Sequence, residues 1–326
     1  MVAEEARAHP ARASLLSPPL WLRAAVSVLL LALLVSRLEL GQVARAVAAA
    51  DRPRLFVAFL LGLGTWVVAT WKWQLLLSSV GVRAGYLRLV RLNLIGIFYG
   101  VFLPSQVAGQ VVKGLKLARE EGEGAGVGLS VVADPLTMHY AAVLVGLMAL
   151  GYVVPGSLWV MAIPAVVLMS SRMPDGDRLP TGAGLVRRAW RAAVVMTRRP
   201  GPLVAAVLLS VVFQMLSTAM HYQLALALGL PVSFRAMFYV VSLVCLAQAV
   251  PVSLGGMGVR ETSLVVTMAS VFHISPTRAA GVSALFVLYL WLLAGLGGLL
   301  ELTGGASGAQ AHGQRRDGDI KTPGGA

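Results

Sequence analysis

Long apolar runs separated by short polar or basic breaks dominate the 326-residue sequence. Several runs approach the roughly 20 residues that an α-helix needs to cross a bilayer. The pattern predicts an all-α polytopic membrane protein with about six to eight transmembrane helices. The polar ends, residues 1–19 and 303–326, are predicted to be disordered. The predicted spans cover residues 20–36, 54–71, 87–103, 127–150, 158–171, 202–228 and 282–302, and residues 38–50 are predicted to form a helix at the membrane interface. Residues 105–119 form a softer segment, and residues 238–250 and 264–271 are apolar runs.

One apolar stretch is broken where a spanning helix should be continuous. It reads Pro251-Val-Ser-Leu-Gly255-Gly256-Met-Gly258-Val-Arg260-Glu261, with apolar sequence on both sides. An unpaired backbone group in lipid costs several kcal/mol, and charged side chains within the hydrocarbon are also costly. The stretch therefore predicts a broken, re-entrant membrane element that carries an ion pair.

A second break has the same spacing of proline, glycine and basic residue. Pro104, Gly109 and Lys113 match the later proline, glycine and arginine, and the same shift maps Pro53 onto Pro200. This indicates an internal repeat with halves at residues 20–150 and 158–302. Each half holds about three spans and one re-entrant segment, and an odd number of spans makes the halves an inverted repeat, as in many transporters.

The composition excludes a soluble domain and a nucleic-acid-binding module. Hydrophobic residues make up 57% of the chain and charged residues 13%, whereas soluble chains carry about a quarter charged residues. The formal net charge is +13, and no aromatic residues alternate with the arginines as in a nucleic-acid module. The basic charge is therefore interpreted as attraction to the anionic cytoplasmic leaflet.

The arginines also predict the orientation in the membrane. The basic loop 172–202 is expected in the cytoplasm by the positive-inside rule, with both termini on the same side. Loop 37–54 would then lie outside although it carries four arginines. Burial of that loop at the interface, or eight full spans in place of hairpins, are the alternatives.

The sequence favours a protein that is not an enzyme, with no cofactor and no metal site. Cys245 is the only cysteine and the histidines lie on separate segments, so metal-ligand spacing is absent. A helical polar stripe at Ser210, Gln214, Ser217 and His221 is interpreted first as helix–helix hydrogen bonding and second as a cavity lining.

The candidate substrate-binding residues belong to the two broken segments. Arginine binds phosphate through two parallel hydrogen bonds, and glycine N–H groups at a helix N-terminus bind anions. Arg260 and Lys113 could therefore hold a lipid phosphate between the segments; alternatively, both extend to the interface as ordinary surface cations. The full candidate set is Pro104, Gly109, Gln110, Lys113, Asp134, Pro251, Gly255, Gly256, Gly258, Arg260 and Glu261.

Asp134 is a carboxylate within a predicted span, followed directly by Pro135. It is predicted to act as a proton or cation relay or as a partner of Lys113 or Arg260. The equal alternative is a surface position near the start of its helix. Lys72, between two tryptophans, is predicted to end its span at the interface.

These motifs resemble the lysylphosphatidylglycerol synthase transmembrane-region family, also called flippase-like integral membrane proteins. The run Pro251–Glu261 resembles its signature, and Trp71-Lys-Trp-Gln-Leu-Leu-Leu77 resembles its helix-ending pattern. Asn93…Gly96…Phe98…Leu103-Pro104…Gly109…Lys113 resembles its first broken segment. The resemblance covers about Leu20 to Leu302. The chain departs from it at Ala108-Gly109-Gln110, where the family commonly has Gly-Gly-Asp, and at Asp134-Pro135, which lacks an arginine.

The resemblance implies a multi-pass protein of the bacterial inner membrane that translocates or binds an anionic phospholipid or lipid-linked sugar. The last 24 residues follow the final predicted span, so the family's cytosolic aminoacyltransferase domain is not expected. Membrane lipids and a separate lipid-synthesising enzyme are the expected partners. The alternatives are a membrane-embedded lipid-modifying transferase that uses a polyprenyl or phospholipid carrier, and a non-catalytic partner of a lipid synthase.

Overall fold

The computed structural model describes residues 40–102, 108–122, 124–149, 200–248 and 258–319. All regular structure in these ranges is α-helical, which confirms the predicted fold class. The helices are α1 (Leu40–Ala48), α2 (Arg52–Ser79), α3 (Tyr86–Phe102), α4 (Ala108–Glu121), α5 (Gly124–Ala149), α6 (Pro200–Ala227), α7 (Phe234–Gln248), α8 (Val259–Phe272) and α9 (Pro276–Asp319).

Four of the described helices, α2, α5, α6 and α9, are long and apolar enough to cross a membrane. Each overlaps a span that the sequence predicts. Two of the predicted spans, 20–36 and 158–171, lie outside the described residues. So does the basic loop 172–202, except for its last residues, which begin α6. The chain is thus a polytopic membrane protein, and the inversion of its two halves, which depends on one of those spans, stays a prediction.

Helix α2 begins where the sequence predicts but ends later. Asp51 caps it by accepting a hydrogen bond from the backbone N–H of Arg54 (3.4 Å), and Pro53 occupies the first turn. The predicted end near Trp71 and Lys72 is wrong, because the helix continues to Ser79. Lys72 is buried and its apolar neighbours Leu76 and Leu77 are fully packed, so burial sustains the helix beyond the lysine.

Two further boundaries differ from the sequence-based expectation. The segments predicted from the sequence leave residues 120–126 as a connector, but α5 already begins at Gly124. A Cβ at Gly126 would lie 3.3 Å from Val80, so the missing side chain lets α5 pack against the turn after α2. At the other end, α9 continues to Asp319 instead of stopping near Leu302. Extending an existing helix costs less than starting one.

Both broken segments are antiparallel helix pairs. Arg88, at the start of α3, is ion-paired with Glu120 and Glu121 at the end of α4, so the first pair returns to the side where it begins. In the second pair, Tyr239 near the start of α7 packs edge-on against Phe272 at the end of α8. The four helices have 17, 14, 15 and 14 residues, fewer than the roughly 20 of a full span. We call them hairpin 1 (α3–α4) and hairpin 2 (α7–α8).

The two halves have matching elements that pack crosswise. Helices α2 and α6 each have 28 residues, and each precedes one of the two hairpins in the chain. They form the most extensive helix contact among the described residues. Hairpin 1 packs through α3 against α9 of the second half, and hairpin 2 packs through α7 against α5 of the first half. Two repeated halves related by a two-fold axis would pack in this reciprocal way, and the repeat itself stays a prediction.

Hairpin 1 is also tied to α9 by polar contacts. Lys116 in α4 donates to both carboxylate oxygens of Glu301 (2.7 and 2.8 Å), and the hydroxyl of Tyr99 donates to the same carboxylate (3.1 Å). A guanidinium N–H of Arg91 donates to the carbonyl oxygen of Leu300 (3.2 Å). These bonds hold the outer part of hairpin 1 against the second half.

Candidate functional site

The two helices of hairpin 1 touch through their backbones. A Cβ at Gly109 would lie 2.1 Å from the carbonyl oxygen of Gly96, and a Cβ at Gly96 would lie 3.1 Å from the carbonyl oxygen of Gly109. Only glycine fits at position 109 without moving one of the helices. The crossing brings Lys113, one turn further along α4, against α3 and into the interior.

Lys113 belongs to a buried group of three charges that we call the lysine–aspartate cluster (Lys72, Lys113 and Asp134). The Nζ atom of Lys72 lies 2.9 Å from Oδ1 of Asp134, and the Nζ atom of Lys113 lies 3.4 Å from Oδ2. The carboxylate thus bridges a lysine of α2 and a lysine of α4. Lys72 also donates to the backbone carbonyl oxygen of Asp134 (2.9 Å).

Neutral side chains fix the positions of these charges. Lys113 donates to Oδ1 of Asn93 (3.0 Å), whose amide N–H in turn donates to the hydroxyl of Thr70 (2.9 Å). The ammonium of Lys113 also lies 4.2 Å from the ring centroid of Trp73, close enough for a cation–π interaction. The indole N–H of Trp73 donates to Ser130 (3.1 Å), so α2, α3, α4 and α5 all contribute to the network.

With both lysines protonated, the cluster would carry one more positive than negative charge. Its exposed fractions are 1% for Lys72, 4% for Lys113 and 8% for Asp134. Removing an ion from water costs several kcal/mol, and a charge is tolerated in the interior only when it is paired and hydrogen-bonded. One carboxylate balances one lysine. The second lysine has no carboxylate of its own within this cluster, so it can carry a positive charge stably only when an anion is bound beside it.

The second charged group lies at the start of α8 and consists of Arg260 and Glu261. Gly258, with φ 83°, has a backbone conformation that favours glycine, and its N–H donates to Oε2 of Glu261 (2.7 Å). Nε of Arg260 donates to Oε1 of Glu261 (2.9 Å), and the guanidinium lies 5.0 Å from the ring centroid of Phe286 on α9. The side chains of this pair are 14% and 9% exposed, so it is an interior ion pair and not a surface one.

A family model covers both of these charged groups. The family described as lysylphosphatidylglycerol synthase TM region matches residues 20–298, which is most of the chain. The chain belongs to this family. No curated protein and no solved structure matches it.

Membership of the lysylphosphatidylglycerol synthase TM-region family confirms the resemblance that the motifs indicate. It identifies the chain as a multi-pass membrane protein related to lipid metabolism. Both charged groups fall within the matched residues. Three elements of the cluster, α2, α4 and α5, come from the first half of the family region, and Arg260 and Glu261 come from the second.

The structure brings some of the sequence-predicted site residues together and separates others. Lys113 and Asp134 are ion-paired, which was one of the alternatives predicted for Asp134. Gly109 lies beside them, where α4 crosses α3. Gly258, Arg260 and Glu261 form the other group. The remaining predicted residues of the broken segments, Pro104, Pro251, Gly255 and Gly256, lie outside the described residues.

Gln110 lies on α4 one turn before Lys113. Its Oε1 atom is buried and has no hydrogen-bond partner within the described ranges. A buried amide oxygen without a donor carries a free-energy cost of about 1–3 kcal/mol. Gln110 is therefore a candidate acceptor for a hydroxyl or ammonium group of a ligand beside the cluster.

The polar stripe of α6 is partly explained by helix contacts. The amide of Gln214 donates to the hydroxyl of Ser242 on α7 (3.4 Å), which supports the interpretation of the stripe as helix–helix hydrogen bonding. Nδ1 of His221 donates to the carbonyl oxygen of Ser217 (2.8 Å), and the centroid of its ring lies 4.5 Å from that of Phe286, the ring that Arg260 also contacts.

Lys72, Asn93 and Trp73 are the site residues that the sequence analysis did not assign. Lys72 looks like an interface anchor because tryptophans flank it, but only Trp71 is exposed (57%) whereas Trp73 is fully buried. The signal lies in helical spacing. Gly62, Thr65, Lys72 and Leu76 recur at intervals of three, seven and four residues along one buried face of α2.

Proposed function

We propose that this protein binds an anionic phospholipid or lipid-linked phosphate and carries its headgroup between the two membrane leaflets. One observation supports the proposal above the others. The returning helix of each hairpin carries a largely buried cation, Lys113 in α4 and Arg260 in α8. Intramembrane cations on broken helices in matched halves are typical of substrate sites in transporters.

Arg260 is suited to hold phosphate without losing its own partner. Nε and one terminal nitrogen bond Glu261, while Nη1 has no hydrogen-bond partner among the residues that the structure describes. Arginine forms short, strong, charge-assisted hydrogen bonds to phosphate oxygens. Phe286 and Glu261 fix the plane of the guanidinium in advance, which lowers the entropy lost on binding.

The carboxylates are already engaged, which disfavours the transferase alternative. Asp134 bridges two lysines, and Glu261 accepts from Gly258 and Arg260. A transferase needs a carboxylate or histidine that is free to exchange a proton with the reacting group. Transport uses fixed charges that attract the headgroup, and the observed pairs meet that need.

In this proposal the protein lies in a bacterial cytoplasmic membrane, with both termini and the basic loop 172–202 in the cytoplasm. The arginines of that loop support the orientation through the positive-inside rule. Fusing a fluorescent protein that folds only in the cytoplasm to residue 326 tests it: fluorescence is expected. A second fusion at the same residue carries an alkaline phosphatase that is active only in the periplasm. A dark fluorescent fusion together with an active phosphatase fusion would reverse the orientation.

The transport proposal is tested in liposomes. Purified protein is reconstituted with a trace of phosphatidylglycerol carrying a fluorophore on its acyl chain, and dithionite quenches the outer-leaflet fraction. The wild type is expected to expose inner-leaflet lipid faster than protein-free liposomes. Arg260→Ala is expected to slow this at least about tenfold, since the lost charge-assisted bond is worth about 1.5–3 kcal/mol.

Arg278→Ala is the matched control. Arg278 is exposed at the start of α9 and bonds the carbonyl oxygen of Gly229 (3.0 Å), so its loss removes the same charge away from the interior. Its rate is expected to equal that of the wild type. Equal rates for Arg260→Ala and the wild type would remove Arg260 from the mechanism. A wild-type rate equal to that of protein-free liposomes would refute translocation itself.

A further inference from the structure

The lysine–aspartate cluster poses a charge problem that the proposed function does not resolve. With both lysines protonated, the three buried side chains sum to +1. Residues 103–107 and 249–257, which connect the two helices of each hairpin along the chain, contain no charged side chain in the sequence. A buried charge without a partner is normally removed by loss or gain of a proton, and lysine is a side chain that readily does so.

The geometry distinguishes Lys113 from Lys72 as the lysine that changes its protonation. Lys72 lies closer to the carboxylate (2.9 against 3.4 Å) and donates a second bond to the carbonyl oxygen of Asp134. A neutral amine at Lys113 keeps an N–H for Asn93, which accepts it at 3.0 Å. The pair Lys72–Asp134 then remains as a neutral unit, and the excess charge disappears.

The titratable groups around Lys113 are few. On α2 it faces Lys72, on α5 it faces Asp134, and α3 presents the uncharged Asn93. Lys116, the next lysine on its own helix, is turned to α9 and paired with Glu301. Cys245 on α7 is within electrostatic range of Lys72. Within the part of the chain that the structure describes, only Lys72 and Asp134 are therefore close enough to control the charge of Lys113.

We propose that Lys113 takes up one proton when the cluster binds one phosphodiester monoanion. Before binding, protonated Lys72, ionised Asp134 and neutral Lys113 sum to zero. After binding, the proton from solvent on Lys113 and the single negative charge of the phosphodiester again sum to zero. The cluster is electroneutral in both states, and a cation–π interaction with the ring of Trp73 stabilises the protonated form of Lys113. This inference rests on the proposed function only in taking the anion to be a lipid phosphate.

The dependence on pH has a definite sign. Binding consumes a proton wherever Lys113 is neutral in the free protein, so in that range the affinity falls about tenfold for each unit by which the pH rises. At lower pH, where the free protein already holds the proton, the affinity becomes independent of pH. A phosphate monoester dianion would leave the site with a negative charge, so phosphodiesters are preferred over phosphomonoesters.

Titration calorimetry of the full-length protein in detergent tests the proposal. Dihexanoyl phosphatidylglycerol is the probe, between pH 6.5 and 9, in pairs of buffers with different ionisation enthalpies. The wild type is expected to take up close to one proton per bound lipid. Glycerophosphoglycerol, the same phosphodiester without acyl chains, is the second probe. If it binds, the site recognises the headgroup alone; if only the lipid binds, the site needs the acyl chains as well. The same proton count is expected for whichever probe binds.

Two substitutions isolate Lys113. Lys113→Arg keeps a permanent positive charge, so binding is expected to persist with no proton uptake and no dependence on pH. Lys116→Arg is the matched control on the same helix and is expected to retain the uptake of one proton. Binding without proton uptake in the wild type, or full uptake in Lys113→Arg, would overturn the inference. Failure of both probes to bind would overturn it too.

The calorimetric and transport results separate the two proposals. Lipid binding with no proton uptake, together with active transport, refutes the linkage and leaves the proposed function intact. Proton-linked binding in a protein that moves no lipid in liposomes supports the linkage and refutes translocation.

Discussion

The three charges of the lysine–aspartate cluster differ in what their removal leaves behind. Asp134→Asn removes the counter-ion of the buried Lys72, and breaking a buried pair in this way costs about 3–5 kcal/mol. Lys113→Met leaves the neutral pair Lys72–Asp134 and a side chain of similar length, so a loss of less than about 2 kcal/mol is expected. Thermal unfolding in detergent, followed by size-exclusion chromatography, measures both.

Glu120→Gln is the control for this comparison. Its carboxylate is 46% exposed in the ion pair with Arg88, and exposed pairs contribute about 1 kcal/mol or less. The expected order of destabilisation is Asp134→Asn well above Lys113→Met, with Glu120→Gln smallest. If Lys113→Met proved as destabilising as Asp134→Asn, the second lysine would be a required member of the pair and not an excess charge.

Residue-level predictions from the sequence succeeded where a charge stood within an apolar run. Asp134 and Lys113 were singled out for that reason, and their partnership was one of the stated alternatives. Lys72 was missed because flanking tryptophans and a basic residue near the end of an apolar run also describe an interface anchor. Only the packing of Trp73 and Leu77, which depends on helices distant in sequence, shows that the lysine faces inward.

At the scale of the element, hairpin 1 depends on two glycines with different environments. Gly109→Ala would place a Cβ 2.1 Å from the carbonyl oxygen of Gly96, and neither backbone can move without separating α3 from α4. Overpacking of this kind costs about 1–3 kcal/mol or more. We expect a clear fall in melting temperature and faster amide hydrogen exchange in both helices of the hairpin.

Gly100→Ala is the matched control on the same hairpin. A Cβ there would meet nothing within 4 Å, and alanine is favoured over glycine in a helix interior by up to about 1 kcal/mol. Its stability is therefore expected to equal or exceed that of the wild type. A Gly109→Ala variant with unchanged exchange in α3 and α4 would contradict the close backbone contact.

The sequence predicted the existence of both hairpins because proline and glycine cannot continue a helix in lipid without a partner. It did not predict their lateral packing. The contact of α3 with α9, where a Cβ at Gly297 would lie 2.0 Å from the carbonyl oxygen of Leu94, joins residues far apart in the chain. Spacing patterns report which face of a helix is buried but not which helix covers it.

At the scale of the molecule, the crosswise packing makes each half the support of the other. Hairpin 1 is covered by α9, hairpin 2 is covered by α5, and α2 and α6 form the contact between them. A ligand held between Lys113 and Arg260 would therefore touch both halves. If the protein transports its ligand as proposed, a movement of one half against the other about the α2–α6 contact would change which side of the membrane the charges face.

Crosswise packing predicts that the halves assemble when they are made as separate chains. The first chain, residues 1–178, holds the first half together with the predicted span 158–171, and the second chain, residues 179–326, holds the rest of the second half. The division lies within the predicted cytoplasmic loop, and the two chains are expected to be degraded when expressed alone and to copurify when coexpressed. Each half alone exposes polar groups, among them Arg91, Lys116 and Glu301, that the other half partners. A division after Gln214, within α6, is the control and is expected not to assemble, because it interrupts the helix at the central contact. Accumulation of either half alone as a monodisperse protein would show that the halves are independent units, and the exchange of hairpins between them would then contribute little to stability.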